Sequence, residues 1–270
     1  MTAALLAVLW VTSAAVTPTA RSASSKGGPT GDEARLLELL NTERAGRGRP
    51  RLIWNAHLTR LARAHVADMR RMGRATHDSS KDGAGFTERL IRSGGRAASA
   101  AENVAFAENV QSAHRGLMRS PGHRKNILDG KLTHVGLAVL SDVSGWVYVV
   151  QDFAALLPDL DDRQVVESVR QAIGRARKGA AITEDRELSR KLAAELAGLM
   201  KADSVKADAR LLRGTGWISC YTTMDPDELP AEAARRARGA RGFALAAAFG
   251  RTPSNRLGAW WVLLALENAD

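Results

Sequence analysis

Two histidines and one glutamate that lie far apart in the sequence are the candidates for chemistry: His77, Glu102 and His123. His123 follows Ser120, a suitable helix N-cap, and Pro121, which fits the first helical position. An imidazole in the first helical turn lies beside unpaired backbone N–H groups, and the positive helix end disfavours its cationic form. Two neutral imidazoles and one carboxylate could bind a zinc-like ion with an open water position, or act as a base and its orienting group.

The same residues also have interpretations without chemistry. Glu102 could be the fourth residue of a capping box that begins at Ser99, and His77 could be a solvated loop residue. His123 could simply pack within its helical turn, and His65 is interpreted as a core residue of its helix. The sequence contains no cysteine pair, no His-x-x-x-His pair, no glycine-rich phosphate loop and no Gly-x-Ser-x-Gly motif. These absences argue against a structural zinc knuckle, a nucleotide site and a common serine hydrolase.

The elements that must position these residues are helices around a small sheet. A helix is predicted over 36–44, with Asp32 as its cap, and another over 110–118. The clearest helical spacing is that of Leu58, Leu61, Ala62, His65, Met69 and Met72. Two buried strands, 135–140 and 146–153, are predicted to form a hairpin. Helices that cover such a sheet indicate an α+β fold, here an αβα sandwich.

The second half of the chain repeats this order of elements. Helices are predicted over 165–177 and 188–200, and closing strands over 243–249 and 260–266. All six histidines nevertheless lie before residue 135, so imidazole chemistry belongs to the first half. The second half is therefore predicted to be a second, diverged αβα unit.

The N-terminal residues have the composition of an export signal. We predict a signal peptide at residues 1–23, a linker at 24–31, a first domain at 32–157 and a second domain at 163–270. The apolar run within the first 23 residues is too short to span a bilayer. The mature chain is expected to be secreted or periplasmic, without a transmembrane helix.

Charge and cysteine content limit the partners and the means of stabilisation. The net charge is +10, but the basic residues are scattered singly or in pairs, and few aromatic residues accompany them. This pattern argues against a nucleic-acid partner and favours a solvated basic face. Cys220 is the only cysteine, so no intramolecular disulfide can form and the hydrophobic core must stabilise the fold.

Ordered motifs across about residues 34–154 resemble the CAP superfamily, which contains cysteine-rich secretory proteins, antigen 5 and plant pathogenesis-related proteins. The motifs are Leu40-Asn41-x-x-Arg44, Leu52-x-Trp54-x-x-x-Leu58-x-x-x-Ala62-x-x-His65-x-x-Asp68-Met69, His77, Glu102-Asn103-Val104-Ala105, Ser120-Pro121-Gly122-His123-Arg124-x-Asn126-Ile127-Leu128 and Val135-Gly136-Leu137. The chain is similar to the cysteine-poor bacterial branch, and its second half resembles a degenerate copy of the same domain.

The resemblance implies an αβα sandwich whose cleft holds two histidines and two glutamates and, in some members, a divalent metal. By motif, His77, Glu102 and His123 match three of these four residues, as catalytic or metal-binding candidates. The second glutamate would come from the helix before His123, but residues 113–119 contain no acid. A three-ligand site with a bound water would still be chemically complete.

Three functions are compatible with this resemblance. The first is an exported CAP-domain protein that uses a divalent ion, with zinc as the candidate, to recognise an unknown extracellular ligand such as a lipid, a peptide or a cell-wall component. The second is a metal-assisted hydrolase acting on peptide or cell-wall material, with a bound water as nucleophile. The third is a lipid- or sterol-binding protein with an apolar groove.

Overall fold

The computed structural model describes residues 28–207 and 216–267. The predicted signal peptide at 1–23 and the first part of the predicted linker lie outside these residues. Within them the chain forms two four-stranded sheets, each accompanied by helices, so the predicted α+β class is confirmed. None of the helices in the described ranges is long and apolar enough to cross a membrane.

The first unit contains five helices and four strands. They are α1 (Gly31–Ala45), β1 (Ile53–Trp54), α2 (Ala56–Met72), α3 (Phe86–Arg92), β2 (Ala97–Ala107), α4 (Val110–Arg119), α5 (Pro121–Leu128), β3 (His134–Ser141) and β4 (Val147–Leu156). The sheet has the order β1-β3-β4-β2, in which β1 pairs with β3 in parallel and the other pairs are antiparallel.

The second unit has the same strand order. Its elements are α6 (Asp162–Ala176), β5 (Thr183–Glu184), α7 (Arg186–Lys201), β6 (Trp217–Thr223), α8 (Ala231–Ala237), β7 (Gly242–Gly250) and β8 (Ala259–Glu267). The sheet has the order β5-β7-β8-β6, again with one parallel pair at the edge. The topology of the first sheet is therefore repeated in the second half.

Several details differ from the sequence-based expectations. The predicted hairpin is present as β3–β4 and the predicted closing strands as β7 and β8, but the pattern did not indicate the outer strands. The cap of α1 is Thr30, which forms a capping box with Glu33, while Asp32 lies in the first turn. The capping-box interpretation of Ser99 and Glu102 is wrong, because both residues belong to β2.

Each face of the first sheet packs against a different set of helices. On one face α2 covers the sheet through a cluster of buried residues, which are Ala62, Val66, Met69, Ala138, Tyr148 and Val150. On the other face α1, α4 and α5 pack through residues that include Leu36, Leu40, Leu117, Ile127, Val135, Leu137 and Phe153. The first unit is thus an αβα sandwich with apolar layers above and below the sheet.

An arginine ties the end of the first helix to the rest of its unit in both halves. Arg44 at the end of α1 is fully buried and donates to backbone carbonyls, those of Pro50, Ile127, Asp129 and Leu132. Arg177, directly after α6, donates in the same way to the carbonyls of Ala180, Ala181, Ala237 and Ala240. The shared arrangement supports the interpretation of the second half as a copy of the first.

The lone cysteine belongs to the second core. Cys220 is buried on β6, and burial raises the pKa of its thiol to about 11. A thiol that is buried and protonated is a poor nucleophile, so Cys220 acts as a small core residue.

Gly136 lets α2 lie directly against β3. A Cβ atom at this position would be 2.1 Å from the carbonyl carbon of Leu58 and 2.3 Å from the amide nitrogen of Thr59. Both contacts are with helix backbone, which cannot rotate away as a side chain could. The close packing of α2 on the sheet therefore depends on the absence of a side chain at Gly136.

We expect Gly136→Ala to lower the free energy of unfolding by about 2 kcal/mol or more, because it forces α2 away from the sheet. Gly116→Ala is the matched control, since nothing lies within 4 Å of a Cβ at this exposed helical position. Alanine there should be neutral or stabilising by up to about 1 kcal/mol. Urea unfolding of the two variants measures the difference, and equal stabilities would contradict the packing argument.

Candidate functional site

Glu102 lies in the middle of β2 with its side chain only 4% exposed. Its Oε1 atom accepts a hydrogen bond of 2.9 Å from Nδ1 of His77, and its Oε2 atom accepts one from Arg89. The structure thus brings together His77 and Glu102, which are 25 positions apart in the sequence. Both carboxylate oxygens are already engaged by these two partners.

Arg89 of α3 was not among the residues predicted from the sequence. Besides its ion pair with Glu102, its Nη1 atom donates to the carbonyl oxygens of His77 at 2.8 Å and Ala84 at 2.9 Å. One guanidinium therefore holds the carboxylate of Glu102 and the backbone of the segment that carries His77. No motif or periodicity in the sequence indicated this role, since it depends on where α3 packs.

A second carboxyl group faces Glu102 across the sheet. Asp152 of β4 is the register partner of Glu102 and is completely buried. Burial first, and the neighbouring charge of Glu102 second, raise the pKa of Asp152 well above its usual range. The ionised form of Asp152 is therefore disfavoured beside the charge of Glu102. The polar pair Gln151-Asp152 inside an apolar strand was the sequence signal that could have identified it.

His65 of α2 lies next to Glu102 and is the core residue that the sequence predicted. It is buried, its Nε2 atom lies 2.8 Å from the carbonyl oxygen of Thr76, and the same atom lies 3.9 Å from Oε2 of Glu102. Burial, and then the charge of Arg89, lower the pKa of His65. A neutral His65 fixes the segment before His77 without adding a charge to the site.

His123 reaches the site from α5 on the other side of the sheet plane. Asn103, next to Glu102 on β2, donates through Nδ2 to the carbonyl oxygen of His123 at 3.2 Å and to Oε1 of Gln151 at 3.0 Å. Asn126 of α5 in turn donates to Oδ1 of Asn103 at 3.0 Å. This amide network fixes the first turn of α5, and Ser120 serves as its N-cap without a side-chain hydrogen bond.

The two site histidines lie close together but have different protonation behaviour. Their ring centroids are 6.5 Å apart. The hydrogen bond that His77 donates to Glu102 raises the pKa of His77, which favours its charged form more than the sequence-based expectation of a neutral ring assumed. Burial first, and the charge of His77 second, lower the pKa of His123. The neutral form expected for His123 thus follows from these causes rather than from the helix end.

The three predicted ligands His77, Glu102 and His123 do not form a ready three-ligand metal site. Among the residues that the structure describes, no group of three or more His, Cys, Asp and Glu side chains is arranged to hold an ion. Glu102, whose oxygens bind His77 and Arg89, instead leaves Nε2 of His77 as the ring nitrogen available to a ligand. A carboxylate hydrogen-bonded to one imidazole nitrogen is the usual way in which proteins orient a metal-binding histidine.

The remaining histidine near the cleft does not replace the missing acid. His114 of α4 is buried, and its Nε2 atom lies 3.8 Å from Oε1 of Glu43 on α1. It therefore faces the helical layer rather than His77 and His123. Burial lowers its pKa, as expected for a core histidine.

Comparison with known proteins identifies the first unit. Residues 37–153 match the model of the cysteine-rich secretory protein family, CAP, and this part of the chain belongs to that family, as the sequence motifs predicted. An uncharacterized protein of Bacillus subtilis, YkwD, is 33% identical over 116 residues, which are 42% of this chain and 44% of that protein. An uncharacterized membrane protein of the same organism, YlbC, is 32% identical over 111 residues.

A solved structure is also similar to part of this chain. An extracellular protein containing a SCP domain from Bacillus anthracis is 29% identical, with a TM-score of 0.42, and the match covers 46% of this chain and 40% of that chain. The chain spans 44% and 32% of the length of the two Bacillus subtilis relatives. The chain therefore spans less than half of the length of each of these two relatives.

The second unit lacks the polar residues of the first at equivalent strand positions. Alignment of the two sheets by their parallel pairs puts Ala265 of β8 at the position of Asp152 and Ile218 of β6 at that of Glu102. The second half also contains no histidine. It has therefore kept the sheet and lost the site chemistry.

Protonation of His77 can be tested directly. In the metal-free protein we expect His77 to titrate above its ordinary value of 6.5 and His123 to titrate below it. Glu102→Gln should lower the pKa of His77, because the amide cannot stabilise the imidazolium charge. Proton NMR of the imidazole signals measures both values, and Glu43→Gln, beside His114, is the matched control.

The same interaction predicts a pH-dependent stability difference. Because the folded-state pKa of His77 is raised, its pairing with Glu102 stabilises the fold fully below the unfolded pKa and is lost as pH rises through the folded value. The stability difference between the wild type and Glu102→Gln should therefore shrink over that interval. A difference that grows with pH would contradict this assignment.

Proposed function

We propose that this chain is an exported CAP-domain binding protein. It would recognise an extracellular ligand through a divalent ion, with zinc as the first candidate, that His77 and His123 hold. The observation that carries the proposal is the hydrogen bond between Nδ1 of His77 and Glu102, whose second oxygen is fixed by Arg89. It orients the free nitrogen of His77 and increases the basicity of the ring. Export is proposed from residues 1–23 and lies outside the described structure.

The other features of the cleft support a nitrogen-ligated ion. The neutral His123 needs no deprotonation to bind a metal, and Asn103 fixes its backbone. Zinc accepts imidazole ligands and tolerates open positions, so two histidines would leave room for donor atoms of an external ligand. When bound, the ion would supply a Lewis acid at the cleft, and Glu102 would serve as the orienting group behind His77.

Binding is favoured over hydrolysis by the distribution of acids. The helix before His123 provides no carboxylate at residues 113–119. Asp152, the additional carboxyl group of the site, is completely buried, while Glu102 is engaged by His77 and Arg89. Neither Glu102 nor Asp152 is thus free and exposed to act as a general base toward a water.

A lipid-binding function is the second candidate, and a groove in the second unit favours it. This groove of about 460 Å³ lies between α6, α7 and β7 and is mainly apolar, with Val166, Ala193, Leu196, Met200 and Leu245 among its lining residues. Its volume is within the range of small-ligand sites. Lipid that co-purifies with both the wild type and a His77/His123 double variant would favour this function over ion binding.

Zinc binding tests the leading proposal. We expect His77→Ala and His123→Ala each to weaken zinc binding by more than about tenfold, and Glu102→Gln to weaken it by about tenfold. His134→Ala is the matched control, because His134 lies at the start of β3 and hydrogen-bonds the adjacent Thr133. Isothermal titration calorimetry measures the affinities, and equal affinity in wild type and His123→Ala would overturn the proposal.

Zinc binding should also weaken as the pH is lowered. A proton and a metal compete for His77, so the zinc affinity should fall as the pH drops through the raised pKa of this residue.

The competing hydrolase hypothesis has a separate test. We expect no turnover of peptide or peptidoglycan by the zinc-loaded protein, and zinc-dependent cleavage that is lost in His123→Ala would establish hydrolysis instead.

A further inference from the structure

A loop of the second unit reaches the helix that holds the site of the first unit. This docking loop, residues 251–258 between β7 and β8, makes an ion pair of 2.6 Å between Arg256 and Glu88 of α3. Arg251 donates to the carbonyl oxygen of Gly95 at 2.8 Å, just beyond the end of α3. Leu257 packs against the apolar cluster that contains Phe86 and Leu90 of the same helix.

The segment after α3 also contributes a side chain of its own, Arg96, to the contact with the second unit. Arg96 of the first unit lies over the rings of Phe249 and Trp260 in the second, with its guanidinium carbon 4.5 Å and 5.3 Å from their centroids. The same side chain donates to the carbonyl oxygen of Leu160 at 2.9 Å. Ionic, cation–π and apolar contacts therefore converge on α3 and on Gly95 and Arg96 in the segment that follows it.

The docking loop is held in shape by its own unit. Asp203, after α7, accepts hydrogen bonds from the backbone nitrogen and the hydroxyl of Ser254 at 2.8 Å and 2.6 Å. The backbone groups of Thr252 and Asn255 bond to each other in both directions, and the side chain of Asn255 accepts from the nitrogen of Gly258. Because the docking loop is fixed to the second unit, the position of that unit determines where the loop contacts α3.

By contrast, α3 has little stability of its own. It contains seven residues, and Gly85 at its N-cap provides no side-chain hydrogen bond. Isolated helices of this length are unstable in water, so tertiary contacts must set its position. Arg89, which binds Glu102 and the carbonyl of His77, is the neighbour of Glu88 on this helix.

We propose that the second unit is a positioning device for the metal site, in which the docking loop holds α3 so that Arg89 keeps Glu102 and His77 in their binding arrangement. This assigns a role to a unit that has Ile218 and Ala265 where the first has Glu102 and Asp152. A test of this proposal by zinc affinity rests on the proposed function. The geometry of α3 and His77 can be measured without an ion.

Charge reversal across the interface provides the test. In the full chain, Arg256→Glu places two acids together, and we expect zinc affinity to fall between about twofold and tenfold, with shifted imidazole NMR signals of His77 and faster amide exchange in α3. The melting temperature should hardly change, because exposed ion pairs contribute little to global stability. The double variant Glu88→Arg/Arg256→Glu restores opposite charges and should recover all three signals.

Arg235→Glu is the matched control, because it reverses a surface arginine that pairs with Glu232 within α8. It should leave zinc affinity, the His77 signals and α3 exchange unchanged. The proposal is overturned if Arg256→Glu leaves the His77 signals as in the wild type, even where α3 exchange increases. If the wild type binds no zinc, the proposed function fails, and the His77 signals alone then decide whether the two units are coupled.

Discussion

The site depends on one buried carboxylate in the middle of a sheet. Removing the charge of Glu102 from water is costly unless partners compensate it, and the chain supplies Arg89 and His77 for this purpose. Burial and the charge of Glu102 in turn raise the pKa of the adjacent Asp152 and disfavour its ionised form. The location of α3, the course of the segment that carries His77 and the raised pKa of this histidine all follow from compensating one charge.

The alternation of side chains along β2 extends this constraint to the second histidine. Successive residues of a strand point to opposite faces, so Glu102 and Asn103 act on different sides of the sheet. Glu102 reaches the side chain of His77 beneath α2 and α3, whereas Asn103 bonds the backbone of His123 in α5. Two neighbouring residues thus fix two histidines that approach from separate layers.

The sequence predicted the helices and strands whose apolar residues recur at regular spacing. It missed the strands that are defined by their hydrogen bonds to neighbouring strands. The spacing of α2 and the apolar runs of β3 and β4 reflect burial, so both were evident. By contrast, β2 is rich in alanine and carries Glu102 and Asn103 in its interior, and this composition does not resemble a strand. Family motifs identified His77, Glu102 and His123, but Arg89 and Asp152 act through tertiary contacts that no local pattern encodes. The protonation of His77 was likewise set by a partner 25 positions away.

The loss of chemistry in the second unit is consistent with the same electrostatic argument. With Ile218 and Ala265 at the positions of Glu102 and Asp152, its sheet contains no buried carboxylate there and needs no arginine to compensate one. In the first unit, replacing Glu102 would remove the ion-pair partner of Arg89 and the hydrogen-bond acceptor of His77. The unit without the site can therefore be apolar at these positions, while the unit with the site has a charged centre. The contacts of the second unit with α3 lie where support of this centre acts on Arg89 most directly.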